Sequence, residues 1–324
     1  MKILFRAVLA GVVLAVVAAA LLVSQPILWT RGAREPIAVD PQRLEIHVRR
    51  LAQDRPRSLR SPEKLDDAAD YIKDSWSRCG LEVREQDFTA DRKRARNLVA
   101  ALGEDTGDPI VVGAHYDAYG DMPGADDNAS GVAALIELGC ALRREPPTRR
   151  VELVAFTLEE PPYFGSKQMG SWVHAQSLLQ RGRRARAMLC LEMVGDFSNE
   201  RGSQSFPFPT LGLIYPTRGN FIAVVGRLKD RSLIRRVKIA MAGIAGLRVR
   251  SIAAPAAMTG VDLSDHSSYW SAGFPAVMIT DTAFYRNARY HTAEDTPETL
   301  DYRQMANVVS GVYEAVRALT GPAS

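Results

Sequence analysis

Residues Val111 to Ala134 read VVGAHYDAYGDMPGADDNASGVAA, and no other stretch restricts the fold so tightly. The apolar run Ile110-Val111-Val112 leads into it, the signature of a buried strand. A His-x-Asp pair follows at His115 and Asp117, then a glycine-rich acidic loop, then a helical pattern from Ser130. Strand residues two apart share a face, so His115 and Asp117 point the same way. Asp117 can then hold one ring nitrogen of His115 while the other faces a ligand, as in metal-binding histidines. Asp126, Asp127 and Asn128 fall at the mouth of the next helix, at or near its N-cap. Acidic groups crowded beside an imidazole repel one another unless a positive charge lies between them, and a divalent metal ion supplies one.

The chain has 324 residues, 46% of them hydrophobic, which is enough for one large core or two modest domains. The formal charge of +4 is carried mainly by arginine pairs flanking predicted helices, which read as solvated helix faces. There is no aromatic-basic interleaving and no finger spacing, so nucleic acid is excluded as a partner. Cys79, Cys140 and Cys190 stand apart without a C-x-x-C, and their odd count argues for buried free thiols rather than a disulfide scaffold.

Lys2 and Arg6 precede an uncharged run from Ala7 to Val23, which Ser24-Gln25-Pro26 interrupts. This reads as a secretion signal retained as a membrane-spanning anchor, occupying residues 1–29. The leading positive charges place the body of the protein outside the cytoplasm, periplasmic or extracellular, tethered to a bacterial-type cell membrane. Residues 30–41 read as a linker and 42–324 as the catalytic domain.

Helices are expected over Gln42–Ala52 and Pro62–Arg78, the second closed by Gly80. Strands are expected over Leu81–Phe88, Ala95–Leu102 and Pro109–Tyr116, then a helix over Gly131–Leu142. Val151–Thr157 (strand), Gly165–Gln180 (helix) and Ala187–Val194 (strand) repeat the alternation. Phe197–Asn220 is a long irregular stretch, read as a rim or lid. Strands at Phe221–Gly226, Val249–Ala254 and Pro275–Thr280 and helices at Arg231–Ala245 and Tyr302–Leu319 complete the chain. The alternation predicts an α/β three-layer sandwich, a mixed and mostly parallel sheet with helices on both faces. In such sheets functional groups gather at the carboxyl ends of the strands. His115, Glu159-Glu160 and Glu192 each fall at or near such an end, and Asp127 and His291 complete a set of imidazoles and hard oxygens suited to zinc, cobalt or manganese rather than copper or iron-sulfur clusters.

Four segments, G-A-H-Y-D, G-A-D-D-N-A-S-G, L-E-E and Y-H-T-A-E-D-T, occur in that order. With them the chain resembles the co-catalytic zinc aminopeptidases, a family that takes in bacterial secreted aminopeptidases, glutamate carboxypeptidase type II and the glutaminyl cyclases. The resemblance runs from about Leu65 to the C-terminus. It implies two zinc ions per chain bridged by Asp127, with His115 and Glu192 completing one site and Glu160 and His291 the other. It implies Glu159 as general base, taking a proton from the attacking water and passing it to the leaving amine. Asp117 joins Glu159 in the catalytic set, Tyr290 is similar to a tyrosine that steadies the oxyanion, and the Asp127-Asn128 peptide is expected to be cis.

Two departures stand out. Glu192, in L-E-M-V-G, occupies a place where the family usually has aspartate. The Glu pair is followed by Pro161-Pro162-Tyr163-Phe164 instead of a short glycine turn, which rewrites one pocket wall with Tyr163 and Phe164. Asp265-His266 opens a helix, with Asp265 as its cap or His266 lining the pocket. Arg286 is either an ion-pair partner or the receiver of a substrate carboxylate. His47 and His174 sit in helical patterns and read as surface residues. The expected function is a membrane-tethered zinc exopeptidase, an aminopeptidase acting on peptide or aminoacyl substrates. A glutaminyl-cyclase-like transferase and a metal-free binding protein of the same fold are the rivals.

Overall fold

The computed structural model describes residues 6, 11, 21–26, 33–53, 55–105 and 107–321. Its frame is an eight-stranded sheet of order β1-β2-β4-β3-β5-β8-β6-β7. The strands are β1 (Val83–Ala90), β2 (Lys93–Leu102), β3 (Ile110–His115), β4 (Val151–Phe156), β5 (Ala187–Glu192), β6 (Ile222–Arg227), β7 (Val249–Ala254) and β8 (Ala276–Thr280). The four central strands β4, β3, β5 and β8 are mutually parallel. β2 joins β4 antiparallel and β6 joins β8 antiparallel, so the sheet is mixed. All residues of the four central strands are buried, as expected for strands covered on both faces.

Among the described residues seven helices cover the sheet: α1 (Pro41–Gln53), α2 (Pro62–Arg78), α3 (Gly131–Arg144), α4 (Gly170–Gln180), α5 (Arg231–Met241), α6 (His266–Ser271) and α7 (Tyr302–Thr320). Two separate cores show the layering. Ile110, Val112 and Ala114 of β3 face a core shared with α1, α2, α3, α5 and α7, whereas Val111 faces one shared with α4 and α6. Burying an aliphatic side chain is worth roughly 1.5–3 kcal/mol. Several such side chains per strand fix the strand positions independently of the polar groups at their ends. The three-layer α/β architecture therefore stands as the strand-helix alternation predicts.

The N-terminal expectation is corrected. Among the described residues no helix is long and apolar enough to cross a membrane, and most of Ala7–Val23 lies outside the described residues. The membrane tether, the membrane partner and the cell-membrane location were all built on that segment, and they fall with it. A second correction concerns sulfur. Cys79, just past α2, and Cys140 in α3 form a disulfide with Cα atoms 5.2 Å apart, and Cys190 alone is a buried free thiol. The odd count misled because two of three cysteines can pair and leave one over.

Candidate metal centre

The parallel strands end on one edge of the sheet, and the loops that leave them supply the polar groups. His115 closes β3, Glu159 and Glu160 follow β4, Glu192 closes β5, and His291 lies in the loops after β8. Three residues at these exits, Leu158 (φ 60°), Met193 (φ 46°) and His291 (φ 59°), are in the left-handed region. Such backbone costs a non-glycine residue of order 1–3 kcal/mol and persists where the surroundings hold it. The turn through Asp127 is equally confined. Gly124 is left-handed (φ 57°), a Cβ there would run into the Asp127 carbonyl, and the Asp127-Asn128 peptide is cis.

Asp127 sits between two histidines that come from opposite ends of the domain. Its Oδ1 lies 3.4 Å from His115 Nε2, and its Oδ2 lies 3.1 Å from His291 Nε2. Glu192 Oε2 is 3.4 Å from His115 Nε2, and Glu160 Oε2 is 3.3 Å from His291 Nε2. Two ligands about 2.1 Å from a tetrahedral zinc ion are about 3.4 Å apart, and the four pairs lie close to that, at 3.1 to 3.4 Å. His115 Nε2, His291 Nε2 and Glu160 Oε1 are buried without a hydrogen-bond partner, so these residues fit a pair of zinc ions. Two groups able to hold a metal result, His115 with Glu159 and Glu192, and Asp127 with Glu160 and His291. Glu159 is the outlying member, with its Oε2 at 3.8 Å from His115 Nε2.

Proton affinities reflect the crowding. Burial opposes a charge on His115, but Glu192 and Glu159 outweigh it and the ring is shifted well upward. Burial raises Glu159 well above the usual carboxylate range, with His115 opposing and Glu192 and Glu160 adding to the rise. Burial, then Asp127, lifts Glu160 to about 7. Burial would raise Asp127 too, yet His115 and His291 on its two sides bring it down.

The residues around the centre hold its members in place. The Asp117 carboxylate accepts the backbone N–H groups of Glu159 (3.1 Å) and Glu160 (3.0 Å). His115 Nδ1 is nearer the Asp117 carbonyl (3.2 Å) than its carboxylate (3.6 Å), so Asp117 chiefly anchors the Glu pair. Asn128 Nδ2 donates to Glu192 Oε2 (3.3 Å), and Ser264 Oγ donates to the same oxygen at 2.6 Å. Asp295 accepts the N–H groups of Asp126 and Asp127 (2.9 and 3.2 Å). His291 is sandwiched between the rings of Tyr119 and Tyr290, with centroids 4.0 and 3.8 Å away. Arg57 is buried and donates to the carbonyls of Leu51, Tyr116, Pro123 and Gly124, clamping the loop that leads to Asp127.

Ser264, Asp295, Tyr119 and Arg57 were not expected from the sequence, although Tyr119 lies in the stretch from Val111 to Ala134 and Asp295 in Y-H-T-A-E-D-T. His174 is fully buried, bonded to Tyr269 Oη at 2.7 Å, and His47 is buried between Tyr71 and Glu137, so neither is a surface residue.

A cavity of about 110 Å³, mostly apolar, opens beside Glu192 and Tyr290, with Phe206, Tyr215, Phe221 and Met258 in its wall. None of the four expected substrate-binding residues lines it. His266 is fully buried, bonded to the Val261 carbonyl at 2.7 Å and packed edge-on against Trp270. Arg286 is tied to Gln204 Oε1 and the Asp196 carbonyl and lies over Phe221, so it braces the 197–220 loop. Tyr163 donates to Asp91 at 2.8 Å, and Phe164 beside it is half-buried.

Comparison with known proteins agrees with this geometry. The chain is 44% identical over 286 residues to the uncharacterized protein YfbL of Escherichia coli, covering 86% of this chain and 88% of that one. It is 30% identical over 223 residues to a probable leucine aminopeptidase of Trichophyton verrucosum, covering 64% of this chain and about half of the relative, 53%. The Legionella pneumophila LapA aminopeptidase has the same fold, with a TM-score of 0.71 at 19% identity over 88% of this chain and 72% of that one. The model of peptidase family M28 matches residues 97–316, and with two metal-binding groups in place the chain belongs to this family as a zinc-dependent metallo-exopeptidase.

Proposed function

We propose that the chain is an aminopeptidase, removing residues from the free amino end of peptides. The observation that carries this reading is Asp127 facing two histidines with its two oxygens while Glu159 stands beside them. His115, Asp127, Glu160, Glu192 and His291 would hold zinc ions, which would supply polarisation of the scissile carbonyl and a better water nucleophile at neutral pH. Glu159, whose proton affinity is raised by burial, takes the proton from the attacking water and delivers it to the leaving amine. Tyr290, braced against the His291 ring, donates its hydroxyl to the developing oxyanion.

The test is a panel of aminoacyl anilides and dipeptides with the zinc-loaded protein, each offered with a free and an acetylated amino group. Hydrolysis confined to the free form supports the reading. Equal cleavage of both forms, or cyclisation of amino-terminal glutamine without hydrolysis, contradicts it.

A further inference from the structure

The cavity beside the metal centre follows one row of the sheet. Glu192 pairs with Thr280, Thr280 with Ala223, and Ala223 with Arg250. Residues paired directly across strands project from the same face, and all four line the cavity. Strands lie about 4.8 Å apart, so the row measures roughly 14 Å from the Glu192 backbone to that of Arg250. Thr280 and Ala223, both small, form the floor and leave the slot open. The adjoining row of Met278, Val225 and Ile252 makes an apolar wall, and Phe206 and Tyr215 add aromatic lining.

The two ends of the slot differ in charge. One end carries the carboxylates of the metal centre. At the other, Arg250 is exposed, and its guanidinium donates to the carbonyl of its own neighbour Val249 at 3.3 Å. No carboxylate pairs with it among the described residues, and the charges acting near it are those of Arg248 and Lys238. A slot meant only for apolar groups gains nothing from an arginine head at its far end. A carboxylate arriving there meets a planar fork of donors in a setting that already favours anions.

Resting on the exopeptidase reading above, we propose that Arg250 determines specificity by holding a carboxylate of the substrate at the end of the slot remote from the scissile bond. That carboxylate has two sources, the side chain of an acidic first residue or the free carboxyl end of a short peptide.

The experiment compares kcat/KM of the zinc-loaded full chain and its R250Q and R250K variants on two matched pairs. Glutamyl against glutaminyl anilide reads the side-chain source, and Leu-Leu against Leu-Leu-amide reads the terminal source. The expected result is a preference for the carboxylate member of at least one pair by about tenfold or more. That ratio falls toward one in R250Q and survives in part in R250K. Equal rates within both pairs, or a preference that R250Q leaves intact, overturn the proposal while the peptidase reading stands. Silence on all four substrates defeats the peptidase reading and the proposal together.

Discussion

Asp117 Oδ2 accepts the backbone N–H of Glu160 at 3.0 Å. The other oxygen accepts that of Glu159, so one carboxylate sets the position of two consecutive carboxylates with different work. Asparagine keeps one acceptor and turns a donor toward the second N–H. Asp117→Asn is expected to lower activity by about 10- to 100-fold, the usual cost of disturbing groups that orient metal ligands. Steady-state kinetics at saturating zinc check this; wild-type activity would contradict it.

Glu159 lies farther from His115 Nε2 than Asp127 and Glu192 do, and its assigned work is proton transfer. Glu159→Gln keeps the size and loses the base. Turnover is expected to fall by about 10²- to 10⁴-fold. Elemental analysis is expected to find its zinc content close to that of the unaltered protein. Unreduced turnover in this variant removes the proposed mechanism.

His266 gives the fold an acid sensitivity of its own. Burial, first, and then Arg227 bring its pKa down to about 4, with the bond to the Val261 carbonyl opposing. An unfolded histidine titrates near 6.5. Between those values the unfolded chain binds the proton and the folded chain does not, so stability falls as pH drops from about 6.5 to about 4. The lost contribution is about 3 kcal/mol. Denaturant titrations at pH 7 and pH 4.5 are expected to show a smaller difference in His266→Gln than in the unaltered protein. An identical pH dependence would count against it.

The Cys79–Cys140 bridge closes a loop with a sequence separation of 61. By chain entropy such a loop is worth about 4 kcal/mol. A double Cys79→Ala, Cys140→Ala variant is expected to unfold at a lower denaturant midpoint with its metal geometry retained. A midpoint within error of the unaltered protein would show that the bridge does not constrain the unfolded chain.

Much of the centre could be read in the sequence because its members sit in short local contexts. His115 ends an apolar run, Asp127 precedes a helix, and Glu159-Glu160 ends another apolar run. What could not be read depends on contacts between distant segments. Asp295 reaches the Asp127 turn from 168 residues away, and Tyr119 meets His291 only once the two loops fold together. Arg57 has no local pattern marking it as buried. His174 looks like a helical surface residue until α4 packs on the sheet and brings it to Tyr269 and Glu152. The substrate-binding expectations failed to meet at the cavity for the same reason. Sequence proximity to a motif placed Tyr163, Phe164, His266 and Arg286 near the site, but the side chains that line the cavity come from β5, β6, β7, β8 and the loops packed over them.

The central claim is that side chains from the exits of several strands close around two zinc ions, and stoichiometry tests it most directly. Chelated full-length protein is to be titrated with zinc while bound metal and hydrolysis are followed, in the unaltered chain and in His291→Ala. The account predicts two equivalents bound in the unaltered chain, with activity rising alongside them, and fewer than two in the variant, which loses a ligand placed 3.1 Å from Asp127 and 3.3 Å from Glu160. Two tight equivalents in His291→Ala, or none in the unaltered chain, would contradict it.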